Sequence, residues 1–136
     1  MEKNKPQNIA LLGATGMLGT AFSQILLASG FRIFPYNSQT INFKSPTYLS
    51  QQLNLSNIDW VINCAAYTQV DQCETNSHLA NIINGTAVEY LAKHCEKHQV
   101  PLIHFSTDYV FNGHHTTPHK ETDTPDPINA YEIGRA

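Results

Sequence analysis

Three groups of residues in this sequence have types and spacing suited to chemistry. Gly13-Ala14-Thr15-Gly16-Met17-Leu18-Gly19 sets a glycine at every third position, directly after an apolar run and at the start of a helical pattern. A bound pyrophosphate needs glycine there. Backbone amides must approach the phosphates closely, a Cβ would block them, and the helix N-terminus adds unpaired N–H groups and a partial positive charge. Asn63-Cys64-Ala65-Ala66-Tyr67-Thr68-Gln69-Val70-Asp71 follows a later apolar run, and its small residues leave room at a strand end for a flat cofactor ring. Finally, Tyr131 stands four positions before Arg135, a phenol one helical turn from a fixed cation. A free tyrosine titrates near about 10, so a phenol used as a general acid needs such a neighbour to bring it toward working pH.

The residues after the second apolar run bear on which dinucleotide is held. A site of the NAD type usually carries a carboxylate at the end of the second strand to grip the ribose 2′-hydroxyl. Here that neighbourhood reads Phe34-Pro35-Tyr36-Asn37-Ser38, and no Asp or Glu occurs anywhere between Glu2 and Asp59. A 2′-phosphate would meet no negative charge, so the cofactor is NADP(H) or NAD(H) with the balance toward NADP(H). Arg32 and Lys44 read as solvated surface charges, Lys44 being the better placed of the two to meet a phosphate.

The elements that must position these groups alternate. Asn8 to Leu12 reads as a buried strand ending at Gly13, and Gly16 to Ser29 as a helix with Leu18, Phe22, Ile25, Leu26 and Leu27 near helical spacing, stopped by Gly30. Phe31 to Tyr36 reads as a second strand, and Thr40 to Phe43 as a short third. Ser45-Pro46 has the form of an N-cap followed by proline at the first helical position, opening a helix through about Leu55. Asp59 to Ala65 is another buried strand. The pattern from Asp71 to Gln99 is helical, with an interruption near Gly85 and an apolar face of Leu79, Ile82, Ile83, Val88, Leu91 and Ala92. Pro101 to Ser106 is the last strand, and Thr107 to Asn129 is a loop rich in Pro, Thr, His and Asp. Strands alternating with helices make βαβ units. The expected fold is therefore α/β, a doubly wound parallel sheet in one domain over residues 1–136.

Composition closes off other classes. Over 136 residues, 41% hydrophobic and 14% charged content describes a globular chain, and a net charge of −3 points to neither nucleic acid nor an anionic membrane. No apolar run approaches the roughly 18 residues of a membrane span, and Met1 to Asn8 is too polar for a signal peptide. Cys64, Cys73 and Cys95 are odd in number and lack C-x-x-C spacing, which fits a reducing cytoplasm. His114, His115 and His119 lie in a polar loop without a cysteine partner, and His94 and His98 at the polar end of a helix, so no metal is expected. Cys64 reads as a small buried residue rather than a reactive thiol, and Trp60 as core.

Asn63-x-Ala65-Ala66-Tyr67-Thr68-x-Val70-Asp71, then Ser106-Thr107-Asp108-Tyr109-Val110-Phe111-Asn112-Gly113, then Glu121, Asp123, Pro127 and Tyr131, stand in an order that resembles the dTDP-4-dehydrorhamnose reductase family of extended short-chain dehydrogenase/reductases, with a Rossmann-like cofactor domain. The resemblance spans the chain. It implies that Gly16, Met17 and Leu18 line the pyrophosphate, beside Gly13, Thr15 and Gly19 of the same turn. Asn42 and Phe43 would lie beside the adenine, where the family usually has aspartate first, and Ala65, Ala66, Tyr67 and Thr68 along the nicotinamide half. Asn84 matches an asparagine associated with the family's active site. Thr107 would hydrogen-bond the substrate carbonyl, Asp108 would contact the sugar, and Tyr131 would be the general acid. The implied reaction carries hydride from the nicotinamide to the C4 ketone of a dTDP-deoxysugar.

Two departures stand out. Arg135 occupies the place of a lysine, and Glu132 and Gly134 replace a glycine and a Ser/Thr. Arginine keeps the charge but neither relays a proton nor reproduces a lysine's point contacts. Family members are also longer, so the resemblance implies a sugar-nucleotide-binding part outside these residues. It implies weak or absent turnover by this chain alone, a frayed helix end at Arg135, and self-association through the uncovered edge of the last strand. A non-catalytic NAD(P)-binding regulatory or scaffold module, and a nucleotide-sugar epimerase or dehydratase, are the alternatives of the same fold.

Overall fold

The computed structural model describes residues 7–135. Strand β1 (Asn8–Leu12) is buried along its whole length. It leads through the glycine turn into α1 (Met17–Ala28) and back to β2 (Arg32–Tyr36). A 3₁₀ turn (Pro46–Tyr48) and α2 (Leu49–Gln52) precede β3 (Trp60–Asn63). Next come α3 (Val70–Thr75), α4 (Ser77–Asn81), a π-helical turn (Ile82–Thr86) and α5 (Ala87–Lys97). Strand β4 (Leu102–His104), a long loop and α6 (Ala130–Ile133) complete the described residues.

The four strands are parallel in the order β2-β1-β3-β4. The chain steps one way from β1 to β2, then crosses back to place β3 on the other side of β1. That reversal makes the crevice beyond the carboxyl ends of β1 and β3 the place where a doubly wound sheet takes a ligand. Register brings the relevant ends level: Leu12 pairs with Tyr36 on one side and Asn63 on the other, and Asn63 pairs with His104. The glycine turn, the segment after Tyr36, the segment after Asn63 and the segment after His104 therefore leave the sheet along one edge.

The larger core lies on one face, where Ala10, Leu12 and Val61 meet Leu49 and Leu53 of α2 and Ala87, Leu91 and Cys95 of α5. On the other face Ile9, Leu11 and Ile62 meet Phe22 and Leu26 of α1, with Trp60 partly buried against them. Only part of that second face is covered: Ile9, Trp60, Ile62 and Ile103 line an open apolar groove.

Three expectations need correction. Thr40 to Phe43 forms no strand. Ile41 and Phe43 are buried as a strand pattern would bury them, but side chains take the local amides: Thr40 Oγ1 accepts from Asn37 N, Asn37 Oδ1 from Gln39 N, and Asn42 Oδ1 from Lys44 N. These bonds offer the backbone an alternative to a ladder. The helix opened by Pro46 ends at Gln52 rather than Leu55, since Leu53 is already extended. The helical run from Asp71 is interrupted around Gly85 by the π turn, as expected, but also breaks at Asn76, and its apolar face differs. Ala92 is exposed, and the buried stripe runs through Ala80, Ile83, Asn84, Ala87, Leu91 and Cys95.

Candidate functional site

The glycine turn is held by contacts that permit no side chain. Gly13 has φ +72, and a Cβ there would lie 2.6 Å from the Ala65 nitrogen and 2.8 Å from its Cα. The exit of β1 thus rests directly on the backbone leaving β3. A Cβ on Gly19 would fall 2.1 Å from the Gly13 carbonyl oxygen, so the third glycine lets α1 press against the turn and is itself buried. Ala14 N donates to Tyr36 O at 3.0 Å, tying the turn to the end of β2. Gly16, the N-cap of α1, offers no side-chain acceptor, which leaves the first amides of the helix free for an anion.

Beside this turn lies a cavity of about 700 Å³, a size suited to a cofactor. Gly13, Thr15 and Gly16 form one wall, and Asn42 and Phe43 lie at the end beyond β2. Ala65, Ala66 and Tyr67 form the wall beyond β3. These eight residues were all expected from the sequence. Met17 and Leu18 stand at the start of α1 with exposed side chains, while Gly19 serves packing. Thr68 is exposed and Asn84 buried, and neither lines the cavity. The sequence reading missed Gln52 and Ile83, both of which do. Gln52 Oε1 accepts from Asn42 N at 2.8 Å, a pairing across ten residues that no local pattern marks. Lys44 and Ser38 also line the cavity, and no carboxylate does.

Buried amides shape the wall beyond β3. Asn84, in the π turn, accepts from Tyr67 N at 2.8 Å and donates Nδ2 to Tyr67 O at 3.0 Å, gripping both polar groups of one residue. Asn63 accepts from Ala65 N at 3.0 Å through Oδ1, so its Nδ2 faces His104 Nδ1 at 3.1 Å. An amide nitrogen only donates, hence His104 is neutral with its proton on Nε2. Burial pushes the His104 imidazole below its ordinary value, and the Arg135 charge pushes the same way. Burial likewise raises the thiol of Cys64, which is half-buried beside the cavity.

The remaining site residues cluster at the end of β4 and on α6. Thr107 and Asp108 follow the strand, with a 3.5 Å contact between their side chains. Asn129 caps α6 by accepting from Glu132 N at 2.9 Å, and Ala130 N donates to Glu74 of α3 at 2.9 Å. Tyr131 is half-buried. Arg135 does not fray as expected: Nη2 donates to Phe105 O and, at 3.3 Å, to Ser106 O, while Ser106 Oγ donates to Arg135 O at 3.0 Å. The residues in place of the family's glycine and Ser/Thr pack tightly. Glu132 is buried with Oε2 unpartnered, and a Cβ on Gly134 would lie 3.1 Å from Asn84 Cβ. The end of α6 thus meets Asn84 through Gly134 and the strand end before Thr107 through Arg135, and none of Thr107, Asp108, Tyr131 and Arg135 lines the cavity itself. In the long loop His119 stacks on Phe111 at 3.7 Å and contacts Asp123 at 3.4 Å, and no group of side chains among the described residues is arranged to hold a metal. No helix among those residues is long and apolar enough to cross a membrane.

A parallel sheet with a glycine turn and a cavity at its point of strand reversal defines the dinucleotide-binding class of α/β folds. Within that class, the chain belongs to the family described as the RmlD substrate binding domain, whose pattern matches residues 7–136. It is 39% identical over 129 residues to the probable low-salt glycan biosynthesis reductase Agl14 of Haloferax volcanii, covering 88% of this chain and 43% of that one. It is 35% identical over 127 residues to the dTDP-4-dehydrorhamnose reductase of Salmonella typhimurium, covering 91% and 42%. The structure superposes on that of a dTDP-4-dehydrorhamnose reductase from Bacillus anthracis in complex with NADP with a TM-score of 0.88 at 28% identity, covering 98% of this chain and 48% of that chain. A UDP-glucose 4-epimerase from Thermotoga maritima shares the fold at 19% identity and a TM-score of 0.79. The chain spans less than half the length of these curated relatives.

Proposed function

We propose that this chain forms the dinucleotide-binding part of a nucleotide-sugar ketone reductase, of the dTDP-4-dehydrorhamnose reductase kind, with NADP(H) as the preferred cofactor. The observation that carries the reading is the cradle at Gly13. A side chain there would collide with the Ala65 backbone, and the free amides of α1 open beside a cavity of cofactor size. When bound, the dinucleotide supplies hydride to the ketone carbon. Gly13, Thr15 and Gly16 seat its pyrophosphate. Ala65, Ala66 and Tyr67, held by Asn63 and Asn84, flank the nicotinamide half. The absence of a carboxylate after β2 and the presence of Lys44 in the cavity support a 2′-phosphate there.

On the substrate side, Tyr131 gives its phenolic proton to the carbonyl oxygen as charge develops, and Thr107 Oγ1 donates a second hydrogen bond to the same oxygen. Asp108 contacts the sugar hydroxyls. The domain assignment follows: residues 1–136 as cofactor-binding part, the sugar-nucleotide grip supplied by chain outside them. The exposed edge of β4 is a surface through which copies of the chain pair. The three free cysteines suit the cytoplasm.

The test is a fluorescence titration with NADPH and with NADH. Saturable binding, tighter for NADPH, is expected. No saturable signal with either up to millimolar concentration refutes the nucleotide site, and tighter NADH binding refutes the 2′-phosphate preference alone.

A further inference from the structure

We infer that Arg135 is a positioning residue that clamps the short helix carrying Tyr131 to the strand end carrying Thr107. The inference rests on the reading above that these two side chains act on one carbonyl oxygen. The clamp has two directions. The Arg135 guanidinium donates through Nη2 to the Phe105 and Ser106 carbonyls, and Ser106 Oγ returns a hydrogen bond to the Arg135 carbonyl at 3.0 Å. Both partners are anchored elsewhere. Phe105 packs on Phe22 of α1 with ring centroids 5.6 Å apart, and the start of α6 is bonded to Glu74 of α3. The guanidinium carbon also lies 5.6 Å from the centroid of the Tyr131 ring, over its face.

Helix α6 is only four residues long, too short to hold a place by its own hydrogen bonds. Its far end is placed by what Arg135 grips. Thr107 is the residue after Ser106, and Tyr131 lies one turn before Arg135, so the clamp joins the backbones of the two donors at their nearest anchored points. Two donors serving one oxygen must each reach it within about 3 Å, and a displacement of about 1 Å costs roughly a hundredfold in rate. A planar fork suits this task. Here one nitrogen of that fork, Nη2, serves both carbonyls while the planar head lies over the Tyr131 ring, a stacked placement that a compact ammonium does not reproduce. Arginine at this position thus commits Nη2 to carbonyls of the protein, while its buried Nε has no partner, and its contribution to the reaction is to set the spacing of Thr107 and Tyr131.

The experiment uses the 136-residue chain, with amide hydrogen exchange and ¹⁵N spectra of the arginine side chains. In the parent, Arg135 is expected to show slowed guanidinium rotation, whereas exposed Arg32 rotates freely. Arg135→Met is expected to speed exchange at the hydrogen-bonded amides of Ala130, Glu132 and Ile133, which hold the helix of Tyr131, by about tenfold, the scale of a lost charge-assisted hydrogen bond. Arg135→Lys should fail to restore it. Ser106→Ala, which removes the return bond and leaves the guanidinium, should produce a smaller acceleration at the same amides. NADPH affinity should stay within about twofold in all three, since none lines the cavity. Free rotation of the parent Arg135, full rescue by lysine, or unchanged exchange in Arg135→Met overturns the clamp. These readouts need no turnover, so a chain lengthened by the sugar-nucleotide-binding part that shows the clamp but never reduces a ketone refutes the proposed reaction and leaves the clamp standing.

Discussion

Replacing Asn84 by alanine should be the most damaging single polar-to-apolar change near the cavity. Asn84 is 3% exposed, and its amide accepts from Tyr67 N at 2.8 Å and donates to Tyr67 O at 3.0 Å. Each bond contributes about 1 kcal/mol net, and stranding two backbone groups raises the cost, so the loss is about 2–4 kcal/mol. For a domain of this size 1 kcal/mol corresponds to roughly 3–4 °C, which places the fall in melting temperature at about 6–16 °C. The freed Tyr67 backbone lies in the cavity wall, so NADPH affinity should weaken as well. Asn84→Asp makes the test sharper. It keeps an acceptor for Tyr67 N but sets a carboxylate oxygen against Tyr67 O, and should cost at least as much as alanine. The assay is thermal unfolding followed by circular dichroism at pH 7, with a cofactor titration of each variant. An alanine variant melting within about 2 °C of the parent, less than one hydrogen bond's worth, would refute the reasoning. So would an aspartate variant as stable as the parent.

Gly19→Ala sets helix propensity against packing. Alanine gains about 1 kcal/mol in a helix interior, but its Cβ would meet the Gly13 carbonyl oxygen at 2.1 Å, an overpacking cost of about 1–3 kcal/mol or more. A net loss of stability together with weaker NADPH binding is expected by urea unfolding and titration, and an alanine variant equal to the parent in both contradicts it. His104 should make stability fall on acidification. Its folded pKa is lowered from 6.5, so the unfolded chain binds the proton more readily. The stability is complete above 6.5 and is lost as pH falls through the lowered folded value, where protonation also breaks the Asn63 contact. His104→Gln, which keeps an acceptor for Asn63, should remove that part of the acid slope between pH 7 and 5. Parallel melting curves for parent and variant across that range would contradict the assignment.

The sequence by itself determined what depends on neighbours along the chain. The glycine turn was legible because each glycine answers a demand within seven residues: a positive φ at Gly13, open amides at Gly16, and close packing at Gly19. The buried runs of β1 and β3 were legible because strands covered on both faces need unbroken apolar residues. The alternation of strand and helix was enough to call the parallel sheet. The motif order was legible too, and with it the family to which the chain belongs.

Tertiary structure alone decided the matters settled by partners distant in sequence. Thr40 to Phe43 has a strand's apolar spacing, yet its own amides go to Asn37 O and Gln52 Oε1, the side chains of Asn37, Thr40 and Asn42 take the amides that flank it, and the sheet among the described residues has no strand there. Asn84 was matched from the sequence to an asparagine associated with the family's active site; that it grips Tyr67 appears only when the π turn is folded against the exit of β3. The neutral state of His104 follows from Asn63, 41 residues away, whose other atom is fixed by Ala65. Arg135, read from sequence as a loose end, is pinned by carbonyls 29 and 30 residues upstream. In each case a side chain has several possible partners of equal chemistry, and only the packed sheet brings one of them within hydrogen-bonding reach.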